Sequence, residues 1–347
     1  MDLKLLGWSS VCPSSGVDID YVARVIAVHR SGLKAISKNG PLNLYMSGSL
    51  EDTPAVGDWV EFTPPFIDEQ NKPAALVRRV FSRKTKISRT AVGSQSAEQI
   101  IAANVDLVFI VCSANQDFNI NRIKRYVLLA IEGGAVPVLV LSKMDLVDEE
   151  KELLADVSSG INTDIDIIQT SAMDQASIDQ LRSRIPTGVT SVFVGSSGVG
   201  KSTLVNLLLA KKAQKTAGIR EDDGKGRHTT TSRELFFIPG GGMIIDTPGL
   251  REVGVFGSQE SIDSTYEGIA ELVSQCKFAD CKHETEPGCA IQAALSGGRL
   301  SEKDWGNYQK LLREMQHANR KMNKAEAANS KKKWRRVHLN MRQRRKF

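Results

Sequence analysis

Between residues 20 and 90, apolar and polar positions alternate in short pieces: YVARVIAVHR, GLKAIS, GDWVEF and ALVRRVF, punctuated by Gly, Pro and Asn. Alternation with a period of two gives each piece one face for a core and one for water, so each predicts a strand. About five such strands suit a small all-β barrel of the OB type; spacing alone does not separate this from an SH3-like barrel. The stretch that follows, SRKTKISRTAVGSQSAEQ at 82–99, is polar and basic and predicts a linker.

From about residue 100 the period changes. Apolar runs VDLVFIVC, VPVLVL, IDIIQT, TSVFVG, ELFFI and GMIID alternate with helical segments such as NRIKRYVLLAIEGG and STLVNLLLAKK. Strand–helix alternation predicts a doubly wound, largely parallel sheet. After about 255 the chain turns helical, and SEKDWGNYQKLLREMQHANRKMNKAEA predicts a long helix leading into a basic tail. A chain of 347 residues exceeds one core. The expected division is an all-β barrel at 1–90, an α/β domain at 91–254 and a mainly helical domain at 255–347.

Composition narrows the class. No apolar stretch approaches the roughly 18 residues that span a bilayer, and the N-terminus lacks a charged segment followed by a long apolar one. A cytoplasmic protein without membrane contact is expected, and a monomer. The net charge of +6 is unevenly spread. Residues 320–347 hold twelve Lys/Arg against one Glu, so the rest of the chain is net acidic and the basic character belongs to the tail. Such a run is either solvated or an arm for a polyanion.

The α/β region carries the chemistry. Gly195, Ser196, Ser197, Gly198, Val199, Gly200, Lys201 and Ser202 spell G-x-x-x-x-G-K-[ST] between the strand TSVFV and the helix STLVNLLLA. This is the strand–loop–helix setting in which backbone N–H groups cradle phosphates. Lys201 is expected on the β- and γ-phosphates, Ser202 on Mg²⁺ and Thr203 on the α-phosphate. In DGKGRHTTTSREL, Thr229 or Thr230 is placed to complete the Mg²⁺ shell and sense the γ-phosphate. At the end of MIIDTPGL, Asp246 and Gly249 make D-x-x-G, with Asp246 toward Mg²⁺ and the Gly249 N–H toward the γ-phosphate.

Two further elements read a base. Ser142, Lys143 and Asp145 lie in SKMD, close to Asn/Thr-Lys-x-Asp. Asp145 is suited to accept from guanine N1–H and N2–H₂, which adenine does not offer, with the Lys143 stem along the base. Ser171 and Ala172 lie in TSAM after the strand IDIIQ, where a backbone N–H can meet guanine O6. Ser142 stands where Asn or Thr is usual, and its shorter hydroxyl is expected to weaken a contact at the guanine edge. In this order the base readers precede the phosphate loop and the switches follow it, which describes a circularly permuted GTPase using GTP and GDP. Such a cut is tolerated because domain termini lie at the surface, often close together.

Cys276, Cys281, His283 and Cys289 offer three thiolates and one imidazole. Four N/S ligands with no open position describe a closed, structural zinc site, one per chain. Cys112, within VDLVFIVC, reads as a small buried hydrophobe.

With barrel, permuted motifs and Cys/His cluster in one chain, the sequence resembles the ribosome small subunit-dependent GTPase A family over about 20–315, on GSSGVGKST, GRHTTT, DTPG and CKFADCKHETEPGC. The resemblance implies an OB-fold N-domain, a permuted GTPase core and a zinc domain. It also implies late maturation of the small ribosomal subunit, contact with its rRNA, and GTP hydrolysis stimulated by that subunit. The residue after Gly249 is Leu250, where many GTPases have a water-orienting Gln. His228, beside the switch threonines, is the expected substitute, and the resemblance points to the same histidine as catalytic. Leu250 also leaves open an RNA-binding scaffold that holds GTP and hardly turns over. The permuted motifs alone leave open a large-subunit assembly GTPase.

Overall fold

The computed structural model describes residues 2–8, 17–29, 32–48, 50, 52–69, 71–90, 98–114, 118–147, 150–151, 154–155, 157, 161, 165–210, 233–246, 262–263, 265–278 and 280–316. They belong to two compact units, 1–87 with 100–252 and 88–99 with 253–347.

In the first unit, β1 (Val22–His29), β2 (Gly32–Ser37), β3 (Gly40–Met46), β4 (Trp59–Phe62) and β6 (Pro73–Val80) close a barrel, and the two-residue β5 (Phe66–Ile67) pairs with β6. The pairing runs β1–β2–β3–β6–β4 and returns to β1, with β3 and β6 parallel and the other pairs antiparallel. Closure leaves no free edge around this ring, and alternation delivers one residue in two to the interior. Ala23, Val25, Leu33, Ala35, Leu42, Leu44, Val60, Phe62, Ala75 and Val77 fill it. The OB-type expectation for this region is met.

The predicted linker at 82–99 departs from expectation. Its ends form β7 (Lys86–Thr90) and β8 (Glu98–Ala103), a separate two-stranded sheet. IIAA in β8 and KIS in β7 carry the apolar positions that pack, and the polar residues between them masked the alternation.

The α/β sheet orders β11 (Asp166–Gln169), β10 (Val136–Ser142), β9 (Leu107–Ser113), β12 (Thr190–Val194) and β14 (Met243–Asp246), all parallel. β13 (Glu234–Phe237) runs antiparallel to β14. Continuous apolar runs suit strands buried on both faces. Helix α1 (Ile120–Glu132) starts where the Asn119 side chain accepts from the Arg122 N–H at 3.1 Å. Helix α2 (Gln175–Ser183) starts at Asp174, which accepts from Ala176 and Ser177. Each cap satisfies N–H groups that the first turn leaves unpaired. Ile178 and Leu181 of α2 and Leu204 and Leu208 of α3 (Lys201–Leu208) pack on Phe109, Val138, Val140 and Phe193.

Barrel and α/β sheet are one hydrogen-bonded sheet, because β1 also pairs with β13 at Ala27 and Glu234. Arg24 of β1 lies inside this junction, 1% exposed. Its guanidinium donates to the carbonyls of Leu6, Gly57 (3.4 Å) and Asn104 (3.2 Å) and to the Thr190 hydroxyl (2.8 Å). Burial pulls its pKa down to about 10, against the pull of Asp106 and Asp58, so it keeps its charge at neutral pH.

In the second unit, α4 (Glu267–Ser274), α5 (Ala290–Ser296) and a helix over 302–316 surround the Cys/His segment. Trp305 and Tyr308 stack at 5.7 Å, and the Tyr308 hydroxyl donates to Asp263 at 2.8 Å. Among the described residues, no helix is long and apolar enough to cross a membrane. The basic tail lies outside the described residues.

Candidate functional site

Strands β11, β10, β12 and β14 are parallel, so the loops that follow them leave the same edge of the sheet. That carboxyl edge is where open α/β sheets bind ligands. All the described motif residues lie along it.

The phosphate loop joins β12 to α3. Gly195 has φ +142°, and a Cβ there would stand 2.2 Å from the Val111 carbonyl oxygen of β9. The loop can therefore cross the sheet edge only where the side chain is absent. Gly200, at φ +96°, caps α3, and Gly198 is also left-handed at +82°. The Lys201 ammonium donates to the carbonyls of Gly195 (2.8 Å) and Ser196. Ser202 is exposed in the first turn of α3 and Thr203 is half-buried beside it. Asp246 is exposed at the end of β14, whose neighbour is β12. Ser202 and Asp246 thus belong to adjacent strand–loop units, and a hydroxyl and a carboxylate are the kind of oxygen ligand that Mg²⁺ takes.

The two elements expected to read a base, 26 residues apart, meet. Lys143 takes a left-handed conformation (φ +60°) directly after β10, and Met144–Leu146 form a 3-10 turn that presents Asp145. The Asp145 carboxylate accepts from the Ser171 hydroxyl at 2.6 Å. That hydroxyl in turn accepts from the Met173 N–H at 3.1 Å, and the Ser171 N–H donates to Ser177 at 3.1 Å. The Met144 N–H bonds the Thr170 carbonyl at 3.2 Å, joining the two turns by their backbones as well. Ala172 is exposed at the tip of the second turn.

Ser142 has a different setting from the one expected for it. It is 3% exposed, and its hydroxyl donates to the Val199 carbonyl of the phosphate loop at 2.6 Å, with the Cys112 carbonyl at 3.3 Å. Its hydrogen bonds join the SKMD turn to the phosphate loop. Cys112 is buried, as its apolar setting predicted.

Sequence reading passed over Arg122. From the first turn of α1, its guanidinium donates to the Ser196 hydroxyl in the phosphate loop. A lone arginine in an amphipathic helix carries no motif. His228, Thr229, Thr230 and Gly249 lie outside the described residues.

The ligating atoms of Cys276, Cys281, His283 and Cys289 all lie within 4.8 Å of one another. His283 Nδ1 is 3.4 Å from Cys276 Sγ and 3.6 Å from Cys289 Sγ. Tetrahedral zinc with ordinary bond lengths would separate such a nitrogen and sulfur by about 3.6 Å, so the donor set is compatible with zinc. Supports surround it. His283 packs edge-on against Trp305 at 5.3 Å, and its carbonyl accepts from Gln292 at 2.7 Å. The Glu286 carboxylate accepts from the N–H groups of Lys282, Glu284 and Thr285. These N–H groups, Lys282 first, hold its pKa down at about 2.

Comparison with known proteins agrees with this geometry. Residues 80–256 match the model of the family described as RsgA GTPase. The chain belongs to the RsgA GTPase family. It is 46% identical over 316 residues to the small ribosomal subunit biogenesis GTPase RsgA 2 of Vibrio parahaemolyticus, covering 90% of this chain and 85% of that one. It is 38% identical over 360 residues to an RsgA of Opitutus terrae, covering 99% and 98%. Among solved structures, YjeQ from Thermotoga maritima matches with a TM-score of 0.60 at 27% identity, covering 85% and 98%. YloQ, described as a circularly permuted GTPase, matches with 0.59 at 24% identity, covering 88% and 98%, and shares the fold. As an RsgA GTPase the chain is a circularly permuted enzyme of GTP hydrolysis.

Proposed function

We propose that this chain, a member of the RsgA GTPase family, couples GTP hydrolysis to late maturation of the small ribosomal subunit and is stimulated by that subunit. The observation that carries the nucleotide reading is the joining of three motifs on one sheet edge. Asp145 bonds Ser171, and Ser142 bonds Val199, so base readers and phosphate loop form one hydrogen-bonded site. The small subunit enters from the names of the relatives from Vibrio parahaemolyticus and Opitutus terrae.

In this reading Asp145 selects guanine, the Ser171–Ala172 turn meets its O6, and Lys201 and the loop N–H groups hold the phosphates. Ser202, Asp246 and Thr230 would hold Mg²⁺, which neutralises charge developing on the phosphates. Gly249 and Thr229 respond to the γ-phosphate, and His228 orients the attacking water in place of the glutamine that Leu250 replaces. The barrel of 1–90 and the basic tail, which flank the GTPase region of 91–254 in the sequence, grip rRNA. A zinc ion held by Cys276, Cys281, His283 and Cys289 secures the fold of the 255–347 domain.

The test is multiple-turnover GTP hydrolysis by the whole chain alone, with small subunits and with large subunits. Stimulation by small subunits only, lost in His228→Ala while subunit binding persists, is the expected result. Equal rates under all three conditions would overturn the proposal.

A further inference from the structure

Arg122 reaches the phosphate loop from outside the loop, and no GTPase motif includes it. Its guanidinium donates to the Ser196 hydroxyl. Ser196 is also the residue whose carbonyl holds the Lys201 ammonium, together with the carbonyl of Gly195. The motif assigns Lys201 to the β- and γ-phosphates. Two cations therefore converge on one residue, at the corner of the loop that serves the distal phosphates.

The placement is supported by the fold rather than by a flexible tether. Arg122 sits in the first turn of α1, and its own N–H is fixed by the Asn119 cap at 3.1 Å. α1 packs with its Ile123, Val127 and Leu128 fully buried. β9, which leads toward α1, pairs in register with β12, which leads into the phosphate loop, through Phe109 and Phe193. Those neighbouring strands set the distance between the first turn of α1 and the loop. A guanidinium offers five donors in a planar fork. One of them engages Ser196, and the planar fork suits bidentate recognition of phosphate oxygens, at which arginine exceeds lysine.

We propose that Arg122 is a second cation of the phosphate site, a specificity-determining residue that reads the γ-phosphate and so separates GTP from GDP. This rests on the reading of the site as a guanine-nucleotide site. A cation at the distal corner meets the extra charge of GTP, whereas a residue that merely ties α1 to the loop would support both nucleotides alike.

The experiment measures affinities of the whole chain for GDP and for a non-hydrolysable GTP analogue, with Mg²⁺. A charge-assisted hydrogen bond is worth about tenfold or more in affinity. Arg122→Gln, which keeps a donor for Ser196 but not the charge, is expected to weaken the analogue about tenfold more than GDP. Arg122→Lys is expected to restore much of the analogue affinity. Ser196→Ala, which frees the guanidinium from its anchor, is expected to shift the ratio in the same direction by less. Equal losses for both nucleotides in Arg122→Gln, or no loss, would overturn the proposal. Failure of the wild-type chain to bind either nucleotide would instead overturn the nucleotide-site reading on which it rests.

Discussion

The Ser142 hydroxyl donates to the Val199 carbonyl at 2.6 Å, so the residue that opens the SKMD tetrapeptide is bonded into the phosphate loop. Both groups are buried, where an unpaired carbonyl is costly. Ser142→Ala removes the donor and keeps the size. It is expected to lower nucleotide affinity by about 1–3 kcal/mol, equally for GTP and GDP, because the change acts through the loop. Titration with a fluorescent nucleotide analogue of each kind checks this. An unchanged affinity would show that the loop holds its shape without the bond.

The Asp145–Ser171 pair makes a second prediction. Asp145→Asn exchanges an acceptor for a donor at the position suited to guanine N1–H, so preference should move from guanine toward xanthine nucleotides. Competition between GTP and XTP measures the shift, and retained guanine selectivity would remove Asp145 from the base-reading role.

Gly195 allows the loop to cross β9. In Gly195→Ala the new Cβ would lie 2.2 Å from the Val111 carbonyl, and at φ +142° an alanine is strained as well. The backbone must shift at the phosphates, and nucleotide affinity is expected to fall by more than about tenfold, since a misplaced loop loses several N–H contacts at once. A variant that binds as tightly as wild type would mean the loop relaxes elsewhere.

Arg24 is the buried junction between barrel and α/β sheet. Arg24→Met removes the donor from three carbonyls and from Thr190 while filling much of the space. Loss of about 1–3 kcal/mol is expected, the range for leaving buried hydrogen-bonding groups unsatisfied. Urea unfolding followed by fluorescence reads it. A midpoint within error of wild type would show that methionine packing compensates.

For the Cys/His cluster, purified chain is expected to contain one zinc per molecule, and Cys281→Ser to contain much less. Metal analysis measures both. Circular dichroism of the variant should lose helix signal from the second unit while guanine nucleotide binding persists. A wild-type chain free of zinc would refute the assignment.

The sequence by itself determined what depends on neighbours along the chain. A phosphate loop needs glycines at left-handed positions and a lysine at the helix start, so GSSGVGKS shows itself in eight letters. The same holds for DTPG, SKMD and the cysteine spacing, and for strands whose period is two. Their order along the chain was enough to read the permutation. The tertiary structure alone decided the contacts between distant residues. Nothing in the sequence marks Ser142 as the partner of Val199, Arg122 as the partner of Ser196, or Arg24 as a buried hub, because a single polar side chain leaves no periodic trace. The pairing of β1 with β13 was equally hidden, since an edge strand reads the same whether water or another strand covers its backbone. Those choices are made when the sheet and barrel close, and buried polar groups must then find partners in whatever the fold brings near.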